Sequence, residues 1–284
     1  SYFLTYRVRF LSASTRSFAD GDLNSRVQVH GQDEIATLAA DFNRMADSLQ
    51  EKIDEISMHA KNQEAFTAAF AHELKTPLTS IIGYAELLRT MELSQEEKWQ
   101  AADYIYSQGK RLESLSYKLL DLFVLQQQEI TFAPVSSSEL ADAIVPMMKQ
   151  NLAAKDVMLS MHLAPATLYG DKDLLLSLLI NLIDNARKAS SSGDTITVLG
   201  YSDNDYYCIS VQDTGKGIPA DEIDNITKPF YMVDKSRSRK EGGAGLGMSL
   251  CYEILRLHHA QWHIESELHV GTTITITIPQ TGKE

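Results

Sequence analysis

The sequence is poor in features that mark several classes of protein. It has two cysteines, Cys208 and Cys251, without the close spacing of a zinc site or a redox motif, so we expect both to be reduced and buried. It lacks a surplus of basic residues, because the net charge is −12 and the pI is about 5.1, which argues against a nucleic-acid partner. Its apolar runs fall short of the roughly 18 residues that a membrane-spanning helix needs.

The residues that are present fit a globular chain with more than one core. The composition is 44% hydrophobic and 23% charged, and 284 residues suffice for two or more domains. We expect a hydrophobic segment before Ser1, with Arg7 and Arg9 at its cytoplasmic boundary, because basic residues mark that side of a membrane. The chain would then be the cytoplasmic portion of a protein anchored in the inner or cell membrane.

Two amphipathic segments begin the chain. From Leu4 to Phe18 apolar residues recur in alternating steps of four and three, and Gly21 then supplies a C-cap signal. A second seam starts after Asp33 and shifts its phase beyond Leu49, which is typical of a stutter in a coiled coil. Two helices with a connector and a phase shift resemble a HAMP signalling module, which we assign to residues 1–57. An ordinary coiled coil is the alternative.

The next stretch of helix carries the heptapeptide His-Glu-Leu-Lys-Thr-Pro-Leu, from His72 to Leu78. Pro77 cannot donate to the carbonyl of Glu73, so the pattern predicts a kink just after His72. The spacing is not HExxH, which excludes that class of zinc protease. A lone histidine is usually structural, and we interpret the other histidines in that way. This heptapeptide, however, resembles the phosphoacceptor box of sensor histidine kinases.

A second helix should pair with the one that carries His72. Ser94 and Glu97 have the spacing of a capping box, and the helix that they begin should run to about Gln128, with an apolar side formed by Tyr104, Leu112, Leu115, Leu119 and Leu122. Such a hairpin has more apolar surface than it can bury by itself. The sequence therefore predicts a homodimer joined through a four-helix bundle, over residues 58–129.

From residue 130 to residue 284 the pattern becomes α+β. Strands are predicted at 130–134, 157–163, 195–200, 207–212, 262–267 and 272–278, and helices at 138–155, 171–190 and 248–259. The predicted fold class is therefore multidomain: an all-α coiled coil and dimeric four-helix bundle, followed by an α+β two-layer sandwich.

The helix at 171–190 carries polar residues on one face of an otherwise apolar segment. Asn181 and Asn185 are four residues apart and Lys188 follows three later, so the side chains share a face. Amide oxygen suits Mg²⁺ and an ammonium suits phosphate oxygen, so this face could bind a metal-bound polyphosphate. A buried helix with hydrogen-bonded asparagines is the alternative.

Two glycine-containing turns add to this pattern. Asp213 stands at the end of a strand, before Gly215 and Gly217. Its carboxylate can accept a hydrogen bond from the amine of a nucleobase, and the two glycines let the backbone approach the ring of that base. Taken alone, this is also a common turn. The glycines from 242 to 247 precede a helix, whose free N–H groups can bind phosphate. Neither the Walker nor the Rossmann spacing is present.

These motifs, in this order, resemble the ATP-binding fold shared by gyrase, heat-shock chaperone, mismatch-repair and histidine kinase proteins. With His72 upstream, the chain resembles a dimeric bacterial sensor histidine kinase from Leu11 to Pro279. The resemblance implies ATP and Mg²⁺ as cofactors, with Asn185 as a metal ligand and Asp213 as the adenine contact. It further implies nucleotide-binding roles for Asn181, Lys188, Gly215, Gly217, Phe230, Tyr231, Lys235, Arg237, Gly243, Gly245, Leu246 and Gly247, and for Thr272 or Thr273 as a support of Asp213.

The resemblance also implies a reaction. A ring nitrogen of His72 would attack the γ-phosphoryl group, and Glu73 would accept the proton of the other ring nitrogen or hold its tautomer. The phosphoryl group would pass to an aspartate in the receiver domain of a response regulator. Thr76 would position a water that dephosphorylates this regulator. Two alternatives are an ATPase of the same fold that forms no phosphohistidine, and a coiled-coil relay whose nucleotide domain is inactive.

Overall fold

A computed structural model describes residues 2–127, 131–233 and 244–280. The chain divides into two compact units, Ser1–Ala69 and Phe70–Glu284. Within the described residues, no helix has a stretch that is both long and apolar enough to cross a lipid bilayer. The two units are considered in turn.

The first unit is built from α1 (Tyr2–Ala19) and the N-terminal part of α2 (Glu34–Thr90). The predicted C-cap is confirmed, because Gly21 has a φ of +107° and the N–H of Asp22 donates to the carbonyl of Ser17 at 3.0 Å. The rings of Phe18 and Phe42 meet edge-on with centroids 5.8 Å apart. The buried cluster of this unit comprises Phe18, Val27, Ala39, Phe42 and Ala46.

The connector between α1 and α2 is held by side chains of α2. Both backbone groups of Val27 pair with one amide: its N–H donates to Asn43 Oδ1 at 2.9 Å, and its carbonyl accepts from Asn43 Nδ2 at 2.8 Å. Arg26 forms an ion pair with Asp47 at 2.8 Å. Since a segment without regular structure leaves its backbone unpaired, these bonds explain how the connector keeps one path.

The second unit begins with a helical hairpin of the remainder of α2 and α3 (Gln95–Gln127). The predicted capping box is confirmed: the N–H of Ser94 donates to Glu97 Oε2 at 2.8 Å, and the N–H of Glu97 donates to Ser94 Oγ at 3.3 Å. Tyr84 and Tyr104 stack across the hairpin at 4.7 Å. The dimeric bundle stays a prediction. Large side chains of the hairpin that are more than half exposed fit it, among them Ile82, Trp99, Tyr117 and Leu120.

The rest of the second unit is a mixed sheet covered by helices. The five-stranded sheet has the order β2-β4-β5-β7-β6 and is antiparallel except between β2 and β4. Its strands are β2 (Met158–Leu163), β4 (Thr195–Asp203), β5 (Tyr206–Asp213), β6 (Gln261–Glu267) and β7 (Gly271–Pro279). A separate ribbon pairs β1 (Ala133–Ser136) with β3 (Thr167–Gly170). The helices are α4 (Ser137–Ala153), α5 (Lys172–Ala189) and α6 (Gly247–Leu257).

The predicted fold class is confirmed as a helical N-terminal region followed by an α+β domain. Two details differ from the prediction. Strand β1 occupies 133–136 and overlaps the predicted 130–134 only at its end, because the buried position that pairs with β3 is Val135. Strand β3 was not predicted, since its four residues are too short to show an alternating pattern.

The core of this domain lies between the sheet and α5. Alternate residues of the strands turn toward the helices, so Ile196, Val198, Ile209, Val211, Ile274 and Ile276 are all buried. They meet one face of α5, formed by Leu175, Leu178, Leu179, Leu182 and Ile183. Each such side chain contributes roughly 1.5–3 kcal/mol on burial. This contact determines how α5 is rotated about its axis.

His258 joins the end of α6 to the start of α5. Its ring is 2% exposed; Nδ1 donates to the carbonyl of Ile254 at 2.8 Å, and Nε2 accepts from the N–H of Asp171 at 3.0 Å. The backbone partners fix this tautomer, since a carbonyl only accepts and an N–H only donates. Asp171 in turn caps α5. Burial lowers the pKa of His258, so the ring is neutral in the folded protein.

Replacing His258 should make the domain less stable and less sensitive to acid. His258→Ala leaves two buried backbone groups without partners, which should cost about 2–3 kcal/mol. Because the folded pKa lies below the unfolded value of about 6.5, the wild-type contribution is complete above that pH and is lost as the pH falls through the folded pKa. Urea unfolding followed by Trp262 fluorescence, in a Trp99→Phe background, measures both effects.

The matched control is His263→Ala, because the side chain of His263 is 75% exposed. It should leave the free energy of unfolding and its pH dependence unchanged. An acid dependence that is the same in His258→Ala and in the wild type would contradict the role given to this ring.

Candidate functional site

A cavity of about 200 Å³ opens beside α5, at the ends of β5 and β7. Nine residues singled out in the sequence line it: Asn181, Asn185, Lys188, Asp213, Gly217, Tyr231, Gly245, Gly247 and Thr272. The sequence analysis did not single out several others, among them Lys118, Lys216, Ile218, Ile226, Met232 and Met248. The structure thus brings together residues from five separate segments of the chain.

Strand alternation determines which side chains reach the floor of the cavity. On β5 the inward positions are Ile209 and Val211, and Asp213 continues their phase and is 6% exposed. On β7 the residue opposite Asp213 is Thr272, which is buried. The sequence left open whether Thr272 or Thr273 supports Asp213. Thr272 has the inward phase and lines the cavity, and Thr273 does not.

The carboxyl group of Asp213 is buried and oriented by backbone donors. The N–H of Gly215 donates to its Oδ1 at 2.9 Å. Burial raises the pKa of Asp213, and the backbone hydrogen bonds from Gly215 and Thr272 act in the opposite direction. A buried carboxylate of this kind gains stability when a ligand donates a hydrogen bond to it.

The glycines near Asp213 are required by close backbone contacts. A Cβ at Gly217, whose φ is +69°, would lie 2.1 Å from the carbonyl oxygen of Glu267, and one at Gly271, whose φ is +139°, would lie 2.0 Å from that of Asp213. A Cβ at Gly215 would lie 2.5 Å from the carbonyl oxygen of Ala189. The approach of Gly215 to a nucleobase stays a prediction. Gly215 lets its loop pack against the end of α5.

The two asparagines of α5 offer oxygen atoms to the cavity. Asn181 Nδ2 donates to the carbonyl of Ser177 at 2.8 Å, and Asn185 Nδ2 contacts Met248 Sδ at 3.0 Å. With the nitrogens engaged, the amide oxygens remain as ligand atoms. A Cβ at Gly247 would lie 3.3 Å from Asn181 Oδ1 and 3.7 Å from Asn185 Oδ1, so glycine keeps this space clear.

This donor set fits Mg²⁺ better than a transition metal. The described residues hold no group of three His, Cys, Asp or Glu side chains that could bind a metal ion. An amide oxygen with water and phosphate oxygens is a typical Mg²⁺ environment. Asn185 is the side chain that would hold the ion.

Lys188 pairs with an acidic residue one turn earlier on the same helix, a spacing that is visible in the sequence. Its Nζ lies 2.7 Å from Asp184 Oδ2, and Arg187 lies 2.9 Å from Asp184 Oδ1. Burial raises the pKa of Asp184, but these two cations outweigh it and lower the pKa overall. The charge of Lys188 is therefore shared with a carboxylate at the edge of the cavity.

Phe230 packs toward the hairpin rather than the cavity. It is buried with a φ of +64°, and its N–H donates to the carbonyl of Gly245 at 2.8 Å. Its ring packs against Phe70 of α2 with centroids 6.3 Å apart. A nucleotide contact through its side chain is therefore not supported. Three other predicted binding residues also lie outside the lining of the cavity, and their roles stay predictions: Gly215, the core residue Leu246 and Thr273.

Three other predicted residues, Lys235, Arg237 and Gly243, lie outside the described residues. Their predicted roles at the phosphates stay predictions.

The three residues predicted for catalysis lie on α2, outside the lining of the cavity. His72 is exposed, whereas its neighbour Glu73 is 6% exposed and pairs with Arg111 of α3 at 3.0 Å. Thr76 Oγ1 donates to the carbonyl of His72 at 3.2 Å. Consecutive helical residues point about 100° apart, so one carboxylate turns into the hairpin while the imidazole faces outward.

Three family descriptions match this chain in sequence. They are the HAMP domain over residues 2–51, the His Kinase A (phospho-acceptor) domain over 62–128, and the Histidine kinase-, DNA gyrase B-, and HSP90-like ATPase over 170–282. Together they account for both helical segments and for the α+β domain.

Individual relatives agree with these matches. The chain is 31% identical to the sensor histidine kinase YclK of Bacillus subtilis. The alignment covers 100% of this chain and 61% of YclK, so the chain spans less than two thirds of that relative. It is 28% identical to the histidine protein kinase SaeS of Staphylococcus aureus, over 97% of this chain and 80% of the relative. Its fold is similar to that of histidine kinase ThkA, solved with response regulator protein TrrA, with a TM-score of 0.64 and 20% identity over 80% of this chain and 66% of the other.

The role of Asp213 can be tested with Asp213→Asn. The change keeps the size of the side chain but removes a charge-assisted acceptor, so affinity for Mg-ADP should fall by about tenfold or more in titration calorimetry. Stability at neutral pH should not fall. The raised folded pKa means that ionisation of Asp213 costs folding free energy as the pH rises through that value, and asparagine has no such cost.

The exposed Asp203, on β4, provides the control Asp203→Asn, which should bind Mg-ADP as the wild type does. Unchanged affinity in Asp213→Asn would remove Asp213 from the nucleotide site.

Proposed function

The chain belongs to the bacterial sensor histidine kinases, and on this premise we propose that it uses Mg-ATP to phosphorylate His72 and passes the phosphoryl group to a response regulator. One juxtaposition supports this most strongly. The range of the phospho-acceptor family contains a single exposed histidine on a kinase-type heptapeptide, and the range of the ATPase family supplies most of the lining of a cavity, including a buried carboxylate and two asparagines.

The proposed nucleotide orientation follows from the chemistry of two groups of residues that line the cavity, Asp213 on one hand and Asn181, Asn185 and Lys188 on the other. Asp213 would accept from the exocyclic amine of adenine, because its carboxylate is buried and already aligned by backbone donors. The polyphosphate would then lie at the end formed by Asn181, Asn185 and Lys188. Mg²⁺ held there by Asn185 would offset negative charge on the phosphate groups.

The proposed transfer requires a ring nitrogen of His72 with a free lone pair. This nitrogen forms a bond to the γ-phosphorus in line while the bond from phosphorus to the bridging oxygen breaks and ADP leaves. The other ring nitrogen must release its proton, and Glu73 is the proposed acceptor. In this structure the carboxylate of Glu73 pairs with Arg111, so the proposal requires this ion pair to open or shift during the reaction.

Dimerisation and transfer to an aspartate of a receiver domain are further parts of the proposal. The exposed apolar side chains of the hairpin and the match to the phospho-acceptor family support a homodimer. ThkA, whose fold is similar, was solved with a response regulator protein, which supports that class of partner. Membrane attachment of the longer protein stays a prediction that the HAMP match supports.

A phosphatase activity toward the same regulator is the last part of the proposal. Thr76 lies one turn after His72 and bonds only to the helix backbone in the described structure. Its hydroxyl group can therefore reorient toward a water molecule without breaking a tertiary contact.

His72→Gln should abolish phosphorylation of the chain. Glutamine has no imidazole nitrogen, so no acid-labile, base-stable label should appear from γ-labelled ATP. Mg-ATP affinity should stay within about twofold of wild type, because His72 is exposed and lies outside the cavity lining, where substitutions have small effects. His59→Gln, an exposed position on the same helix, should be labelled normally. Label that persists in His72→Gln would place the acceptor elsewhere.

Thr76→Ala should slow dephosphorylation of a receiver domain that the wild-type chain has phosphorylated. The expected loss is about tenfold or more, since positioned proton transfer and water orientation contribute on that scale. Loss of phosphate from the purified, phosphorylated receiver is followed after the protein is added. Thr79→Ala, an exposed threonine on the same helix, is the control. Equal decay rates for the two variants would argue against the phosphatase role.

A further inference from the structure

One lysine of the helical hairpin reaches the cavity of the ATP-binding domain. Among the described residues that line this cavity, Lys118 alone belongs to α3, and the others belong to the α+β domain. It lines the same cavity as Asn185 and Lys188, and it lies close enough to Lys188 and Asp184 for their charges to shift its pKa. No motif in the sequence predicts this position, because Lys118 looks like an ordinary solvated lysine on a long helix.

Contacts on two sides hold the hairpin against the ATP-binding domain in this structure. Helix α3 packs on α6, whose N-terminus begins at Gly247 beside the amide oxygens. Phe70 of α2 packs on Phe230, whose backbone is bonded to Gly245. Lys118 therefore reaches the cavity through a packed interface and not as a stray surface side chain.

In the part of the chain that the structure describes, the ammonium group of Lys118 differs from that of Lys188 in its ion pairing. Among the described residues it has no salt-bridge partner, whereas Lys188 pairs with Asp184, a carboxylate that also pairs with Arg187. Burial lowers the pKa of Lys118, the charge of Lys188 acts in the same direction, and that of Asp184 opposes both. An anion bound between the two lysines would stabilise both ammonium groups.

We propose that Lys118 is a phosphate-binding residue, which contacts the polyphosphate of a nucleotide bound in this cavity. The nucleotide then bridges the α+β domain and the hairpin. By linkage, a ligand that contacts both parts favours the arrangement in which they are docked, and each additional phosphate within reach of Lys118 strengthens that preference. This inference rests on the proposed function, because it assumes that the cavity binds a nucleotide.

A structural role for Lys118 makes a different prediction. A lysine stem can stabilise an interface by packing its methylene groups, whatever the ligand. Its loss would then change stability, or change the affinity for all ligands of the cavity by the same factor. A phosphate contact makes the loss depend on how many phosphate groups the ligand carries.

The test compares Lys118→Met with the wild-type full chain for four ligands: Mg-ATP, Mg-ADP, AMP and adenosine. Titration calorimetry should show an affinity loss of about tenfold for Mg-ATP, the scale of one charge-assisted contact. The loss should be smaller for Mg-ADP and within about twofold for AMP and adenosine. Lys118→Arg, which keeps the charge, should recover most of the Mg-ATP affinity.

Lys110→Met is the matched control. Lys110 also lies on α3, but it is exposed and pairs with Glu113, so its removal should leave all four affinities unchanged. Lys118→Gln keeps a polar end on the side chain and replaces Lys118→Met if the latter fails to fold.

Either an equal loss for all four ligands or no loss for Mg-ATP would overturn the role of Lys118. If the wild type itself binds no Mg-ATP, the proposed function fails instead. The two failures are therefore distinguishable in one set of titrations.

Discussion

The rotation of α5 about its own axis is the constraint on which the site depends. Its leucine and isoleucine face is buried against alternate residues of the sheet, so the helix cannot turn without exposing that face. Asn181, Asn185 and Lys188 therefore point along the edge of the sheet, where β5 and β7 end in Asp213 and Thr272. The apolar core and the polar cavity are two consequences of one packing arrangement.

A similar division of faces separates His72 from Glu73. Because adjacent helical residues point in directions about 100° apart, the imidazole is exposed while the carboxylate pairs with Arg111 between the helices. A buried ion pair is costly to break by removal of one partner. The hairpin thus leaves the imidazole of His72 accessible and holds the carboxylate of Glu73 in an ion pair.

Much of the site could be predicted because its residues belong to short motifs whose spacing indicates a helix face, a strand end or a glycine turn. The alternation of residues along a strand already distinguishes Thr272 from Thr273 as the neighbour of Asp213. Asp213 follows Ile209 and Val211 at steps of two, and Thr272 precedes Ile274 and Ile276 at the same step. The steps of two in the sequence therefore indicate that Asp213 and Thr272 face the same side of the sheet. By contrast, no local pattern could show that Gly215 packs on Ala189 or that Phe230 packs on Phe70.

The sequence by itself determined the order of the helices and of every strand except β3, the caps at Gly21 and Ser94, and nine of the residues that line the cavity. These features depend on periodicity and on bonds between residues a few positions apart, which any folded form of the segment must satisfy. Only the tertiary structure decided the pairing of Glu73 with Arg111 and the approach of Lys118 to the cavity. Such contacts join residues on different elements or faces, and their geometry follows from how whole helices pack.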